Sequence, residues 1–154
     1  MIGIETTVEC GGWRRALPSV RRWAGRVYDA ASARAPALKG SIALLLADDS
    51  RLKALNARHR SRDKATNVLS FPSGAQAPDF LGDIAIAYET CLREAREKHV
   101  RPADHASHLL VHGLLHLVGF DHETDGEALG MEALEVEILE ALGVADPYAA
   151  EAVR

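Results

Sequence analysis

Apolar and polar residues alternate over residues 2 to 9 (Ile2, Ile4, Thr6, Val8), the period of a half-buried strand. The period then lengthens. Val20, Trp23, Ala24, Val27 and Ala30 recur at helical spacing within residues 18 to 35, which predicts an amphipathic helix. "SIALLLAD", from Ser41, is an unbroken apolar run suited to a central strand. "DSRLKALNARHR" follows it as a helix with an Asp or Ser cap and an apolar face of Leu52 and Leu55. "TNVLSFP" is a short strand stopped by Pro72, residues 73 to 79 form a loop, and "LGDIAIAY" is the next strand.

From residue 89 the pattern is helical: "ETCLREAREKH", a break near Pro102, then a longer apolar helix from about 103 to 118. Gly119 stands where a left-handed residue ends a helix, and Phe120 is placed to pack back on Leu115. Thr124 and Glu127 have capping-box spacing, and Met131, Leu134, Ile138 and Leu142 give the last helix an apolar stripe that ends before Gly143 and Pro147. Strands come mostly early and helices mostly late. The expectation is one α+β domain over residues 1 to 154, a small mixed sheet of about four strands covered by about five helices.

Composition narrows the setting. At 154 residues and 47% hydrophobic the chain can bury one core, and its longest apolar run, "IALLLA", is far short of the roughly 20 residues that span a bilayer. The first ten residues hold Glu5 and Glu9 and lack a basic leader, so export is not expected. Cys10 and Cys91 lie far apart in sequence, which suits reduced thiols in a cytoplasmic protein. A net charge of −4 argues against indiscriminate binding to polyanions. The charge is nevertheless polarised. Arg14, Arg15, Arg21, Arg22 and Arg26 crowd one segment, and Arg51, Lys53, Arg58, Arg60, Arg62 and Lys64 another. Acids such as Glu123, Glu127, Glu132, Glu135, Glu137 and Glu140 dominate the end, so the molecule reads as bipolar, or each charge run reads as the solvated face of a helix.

The candidate chemistry lies in "VHGLLHLVGFDHE". Residues four apart on a helix share a face about 6 Å apart along the axis, so His112 and His116 can reach one ion. A catalytic zinc takes three protein ligands and keeps one position for water. The reversal at Gly119 brings His122 back as the third. His105 and His108 compete, but His108 and His116 are about 12 Å apart along a straight helix and cannot serve the same ion. His108 is left to orient a ligand, to touch substrate or to pack as a hydrogen-bonded structural histidine.

In the zinc-peptidase motif a glutamate follows the first histidine and takes a proton from the bound water; here that position is Gly113. "HGLLHLVGFDH" resembles instead the signature of the YbeY family, single-strand-specific metal-dependent endoribonucleases of bacterial rRNA maturation. "LNARHRSRDKATNVLSFP", "LGDIAI" and "MEALEVEILEALGVADPY" resemble its other characteristic segments, so the likeness covers roughly residues 40 to 148. It implies a metal, usually zinc, on His112, His116 and His122, and places the family's important arginine at Arg60. It also implies a mixed sheet with the metal helix packed in its middle. The activity implied is phosphodiester hydrolysis in single-stranded rRNA, in 16S rRNA 3′-end maturation and ribosome quality control, with the small ribosomal subunit and its assembly factors as partners. Ala65 stands where the family often has proline.

A zinc ion on three histidines lowers the pKa of its water toward about 7, so hydroxide forms without a glutamate. A guanidinium at Arg60 would then stabilise phosphoryl charge through paired hydrogen bonds. Asp121 reads either as an acceptor behind an imidazole or as a turn residue. Ser70 and Thr66 are within the range of polar residues that touch phosphate, and Trp13 and Trp23 either stack on bases or sit in the core. Two other classes compete: a zinc peptidase whose base is supplied elsewhere, as by Glu123, and a non-catalytic ribosome-binding module stabilised by its metal.

Overall fold

The computed structural model describes residues 3–60, 66–73, 79–120 and 124–149, apart from the side chains of His59 and Arg60. In chain order the elements are β1 (Gly3–Val8), α1 (Gly12–Ala16), α2 (Val20–Ser32), β2 (Ser41–Ala47), α3 (Asp49–Arg60), β3 (Val68–Pro72), β4 (Phe80–Ala87), α4 (Tyr88–Glu97), α5 (Pro102–Leu117) and α6 (Asp125–Ala141). The expected α+β class and four strands are found, with one helix more than expected. The additional α1 is a five-residue turn whose Trp13 is wholly buried and donates its indole N–H to the Ala47 carbonyl at 2.9 Å. Such a short helix is held by that burial and not by periodicity.

The sheet has the order β1-β2-β4-β3. β1, β2 and β4 run parallel, and β3 pairs antiparallel with β4, Ser70 lying opposite Ile84. Pro72 is accommodated because β3 is an edge strand, where a missing ladder donor can face outward. Alternation along β2 and β4 sends Ile42, Leu44, Leu46, Ile84 and Ile86 into the main core. Leu45, Ala47, Ala85 and Ala87 go to a smaller cluster completed by Leu52 and Leu55 of α3. The main core is roofed by α2 and α5, with α4 and α6 packed on α5.

α5 is the axis of this layer. His105 through Val111 are buried, as are Gly113, Leu114, Leu115 and Leu117, so the helix is covered nearly all round. It begins with Pro102 in its first turn, where a missing N–H costs nothing. It ends as the sequence predicts. Gly119 has φ +100, its N–H donates to the His116 carbonyl at 3.1 Å, and the Phe120 N–H donates to the Leu115 carbonyl at 3.0 Å. That paired closure is a Schellman motif. The capping box of α6 also forms: Glu127 N–H donates to Thr124 Oγ1 and Thr124 N–H to Glu127 Oε1, both at 3.1 Å.

Both cysteines are free thiols. Cys91 is fully buried, and burial followed by the nearby Glu94 carboxylate pushes its pKa up to about 12, so it stays protonated. No helix among the described residues is long and apolar enough to cross a membrane.

Candidate metal centre

His112 and His116 project from successive turns of α5, their rings 4.6 Å apart between centroids and inclined by 74°. The four-residue spacing thus does bring two imidazoles to one place. Both are half-buried, at the end of the helix nearest the Gly119 reversal. His122, Asp121 and Glu123 lie outside the described residues. Arg60 closes α3, and its side chain is outside them too. Among the described residues alone, no group of three or more His, Cys, Asp or Glu side chains is arranged to hold an ion.

What the sequence reading missed is Glu135. Placed there among the solvated acids of the last segment, it is instead fully buried, whereas Glu127, Glu137 and Glu140 are exposed. Its carboxylate faces α5 and accepts from three donors: His112 Nδ1–H at 2.7 Å, His108 Nε2–H at 3.0 Å and the Tyr148 hydroxyl. Burial pushes its pKa up, but the bonds from His108, His112 and Tyr148 overcome that and hold it at about 2. The signal was legible in position, not in residue type. Met131, Glu135, Ile138 and Leu142 form one stripe at helical spacing, and a charge in an apolar stripe needs a buried partner.

This arrangement fits a metal. Because Nδ1 of His112 donates to Glu135, its lone pair belongs to Nε2, the tautomer a divalent ion requires. A carboxylate behind a ligating imidazole is the usual means of fixing ring orientation and raising basicity. His108 resolves as a positioning residue: one turn before His112, it shares the same carboxylate and makes an edge-on contact with the Tyr148 ring at 5.4 Å.

His105 belongs to a second pair. Its Nε2–H donates to Glu94 Oε1 at 2.7 Å, and Asn67 Nδ2 donates to the same oxygen at 3.0 Å, tying α4, α5 and the start of β3 together. Burial raises the Glu94 pKa, and the bonds from His105 and Asn67 more than reverse it, leaving it below the usual carboxylate value. A carboxylate whose folded pKa is depressed contributes stability above its unfolded value, and that contribution fades as pH falls through the folded one. Glu94→Gln should therefore lower the unfolding free energy at neutral pH and flatten its fall below about pH 4.5, so that the two proteins converge in acid. Urea denaturation at a series of pH values checks this, and an unaltered acid limb would count against it.

Gly113 is buried against the sheet. A Cβ there would lie 3.0 Å from Ile84 Cγ2 and 3.1 Å from Ser70 Oγ. Ser70 is not set toward phosphate: it is buried, and its hydroxyl donates to the Gly113 carbonyl at 3.2 Å. The Thr66 hydroxyl reaches the Val68 carbonyl at 3.4 Å.

Comparison with known proteins agrees with this layout. Residues 13–143 match the family model described as Endoribonuclease YbeY. Proteins named Endoribonuclease YbeY from Rhodopseudomonas palustris (strain HaA2) and Chelativorans sp. (strain BNC1) are 48% and 47% identical. The first alignment covers 94% of this chain and 80% of the relative, the second 95% and 93%. The solution structure of a Thermotoga maritima protein is similar in fold, with a TM-score of 0.58 at 21% identity, over 90% of this chain and 91% of that one.

Proposed function

The chain belongs to the endoribonuclease YbeY family, and on that basis we propose that it is a metal-dependent endoribonuclease acting on single-stranded rRNA. His112, His116 and His122 would hold the ion, zinc being the metal that three imidazoles suit, and Arg60 is the residue assigned to the phosphate. Its setting in this reading is the cytoplasm, with the small ribosomal subunit as the source of substrate. The observation that carries the proposal is the His112–His116 pair with Glu135 behind it, on a helix of a family named for RNA cleavage.

When bound by these histidines, a divalent ion would supply Lewis acidity toward a phosphoryl oxygen and a water made nucleophilic near neutral pH. The chain's own residues supply the rest. Glu135 holds the Nδ1 proton of His112 and thereby the direction of its ring. His108 and Tyr148 keep that carboxylate ionised and fixed. The Gly119 reversal returns the chain toward the helix end immediately before His122. Arg60, at the C-terminal end of α3, offers a planar fork that pairs two phosphate oxygens. The position after His112 is Gly113 and not the glutamate of the zinc-peptidase motif, which favours the nuclease over the peptidase reading.

Two substitutions test the assignment. His116→Ala should fold, lose its bound metal, and lose cleavage of a single-stranded rRNA fragment. Arg60→Glu should retain the metal while cleavage falls about 100- to 1,000-fold, the scale of one lost charge-stabilising group. Metal content by mass spectrometry and product analysis on gels are the readouts. Hydrolysis of peptides with RNA left intact would favour a peptidase. Unchanged rRNA processing in His116→Ala would favour the non-catalytic module.

A further inference from the structure

The sequence reading gave Trp13 and Trp23 the same two options, and the structure separates them. Trp13 is sealed in the core, but Trp23, on α2, is half-buried at the surface. Its indole N–H donates to Ser107 Oγ at 2.8 Å, and that hydroxyl donates to the Ala103 carbonyl at 2.8 Å, so the ring is tied to the first turns of α5. Two surface hollows of about 170 and 280 Å³ meet there, both bounded by Trp23, Arg26 and Ala103. Arg22 and Ser19 extend the larger hollow and Arg101 the smaller.

The charge around this ring is positive. Arg22 and Arg26, one turn apart on α2, are exposed and form no ion pair among the described residues. The one acid at the groove, Asp104, is neutralised by Arg101 through contacts of 3.2 and 3.3 Å. α5 also starts here, adding the positive end of its dipole. Nothing in the metal centre or the fold requires this concentration of guanidinium groups around an immobilised indole.

We propose that this groove is a binding site for single-stranded RNA, with phosphates on Arg22 and Arg26 and a base against Trp23, outside the catalytic centre. Single-stranded RNA fits better than duplex because only an unpaired base can lie on an aromatic ring while adjacent phosphates meet cations. An acidic protein would satisfy the arginines but has no use for the flat ring. Ala103 precedes His112 by nine residues of α5, a rise of about 14 Å and about two and a half turns, so the groove and the metal histidines lie on different sides of the helix. RNA held in the groove must span more than the roughly four stacked nucleotides of that rise to reach the scissile bond, so the groove raises affinity for long substrates over short ones. This rests on the ribonuclease reading above.

The test is binding of a hydrolysis-resistant, fluorescently labelled single-stranded oligoribonucleotide of about twelve nucleotides, followed by anisotropy over a range of salt. Arg22→Ala with Arg26→Ala should weaken binding about tenfold near 0.1 M salt and make the log–log salt slope shallower by about 1.4, two phosphates' worth. RNA should quench tryptophan fluorescence in the unaltered protein but not in Trp23→Phe, since Trp13 is sealed. Cleavage of a trinucleotide should survive the double substitution, while KM for a long RNA rises.

Unchanged affinity, slope and quenching would overturn the groove even if cleavage is confirmed. Loss of polyglutamate binding with RNA binding intact would overturn it in favour of an acidic protein. Binding as expected without cleavage would instead remove the nuclease reading and leave the groove standing.

Discussion

Glu135→Gln should fold and yet bind its metal about 10- to 100-fold more weakly, the usual cost of losing a carboxylate behind a ligating histidine. The ionised carboxylate accepts from His108, His112 and Tyr148 and offers no donor in return. Glutamine has the same shape but one acceptor oxygen and an N–H₂ group. If the amide nitrogen faces His112, that imidazole must move its proton to Nε2 and withdraw the lone pair an ion needs. If the oxygen faces His112, the nitrogen meets His108 and Tyr148, and the cost falls on stability. Glu135→Ala removes both options and strands three donors, at about 1–3 kcal/mol for each that stays buried. Chelator-competition titration and urea denaturation measure the two effects separately. Wild-type metal affinity in Glu135→Gln would show that the carboxylate does not set the tautomer.

That residue also marks where sequence reading stopped. Periodicity and unbroken apolar runs located the four strands and the long helices because their apolar positions are the ones the packing buries, so local pattern and tertiary contact agree. The stop at Gly119 and the box at Thr124 and Glu127 were legible because their hydrogen bonds close within a few residues. The hidden parts are pairings at a distance. Glu135 meets His112 across 23 residues and Glu94 meets Asn67 across 27, and no spacing rule connects them. Even so, a glutamate in register with Met131 and Ile138 was an anomaly, and anomalies of that kind are where buried polar networks are found. The expectation that His122 completes the ligand set falls on residues outside those described, so it rests on the spacing and the family.

Gly113→Glu, the change that would restore the zinc-peptidase motif in sequence, should instead disrupt the protein. One position beyond His112 the helix surface has turned by about 100°, from the imidazole face onto the sheet. There a Cβ would already lie 3.0 Å from Ile84 Cγ2, 3.1 Å from Ser70 Oγ and 3.2 Å from Ile84 Cδ1. Alanine forces these neighbours to give by a few tenths of an ångström, a strain that its gain of about 1 kcal/mol in helix propensity roughly offsets. Glutamate must push a chain of three further heavy-atom links and a charge between α5 and the β3–β4 pair. Overpacking costs about 1–3 kcal/mol and an unpaired buried carboxylate several more, which together approach the whole stability of a domain this size. Gly113→Ala should therefore unfold within about 1 kcal/mol of the unaltered protein, and Gly113→Glu should be largely unfolded or insoluble and hydrolyse no peptide. A soluble Gly113→Glu protein of near-normal stability would mean that this face of α5 is not sealed against the sheet. The glycine would then be a choice of chemistry, whereas here helix–sheet packing requires it and the centre must work without a base at that position.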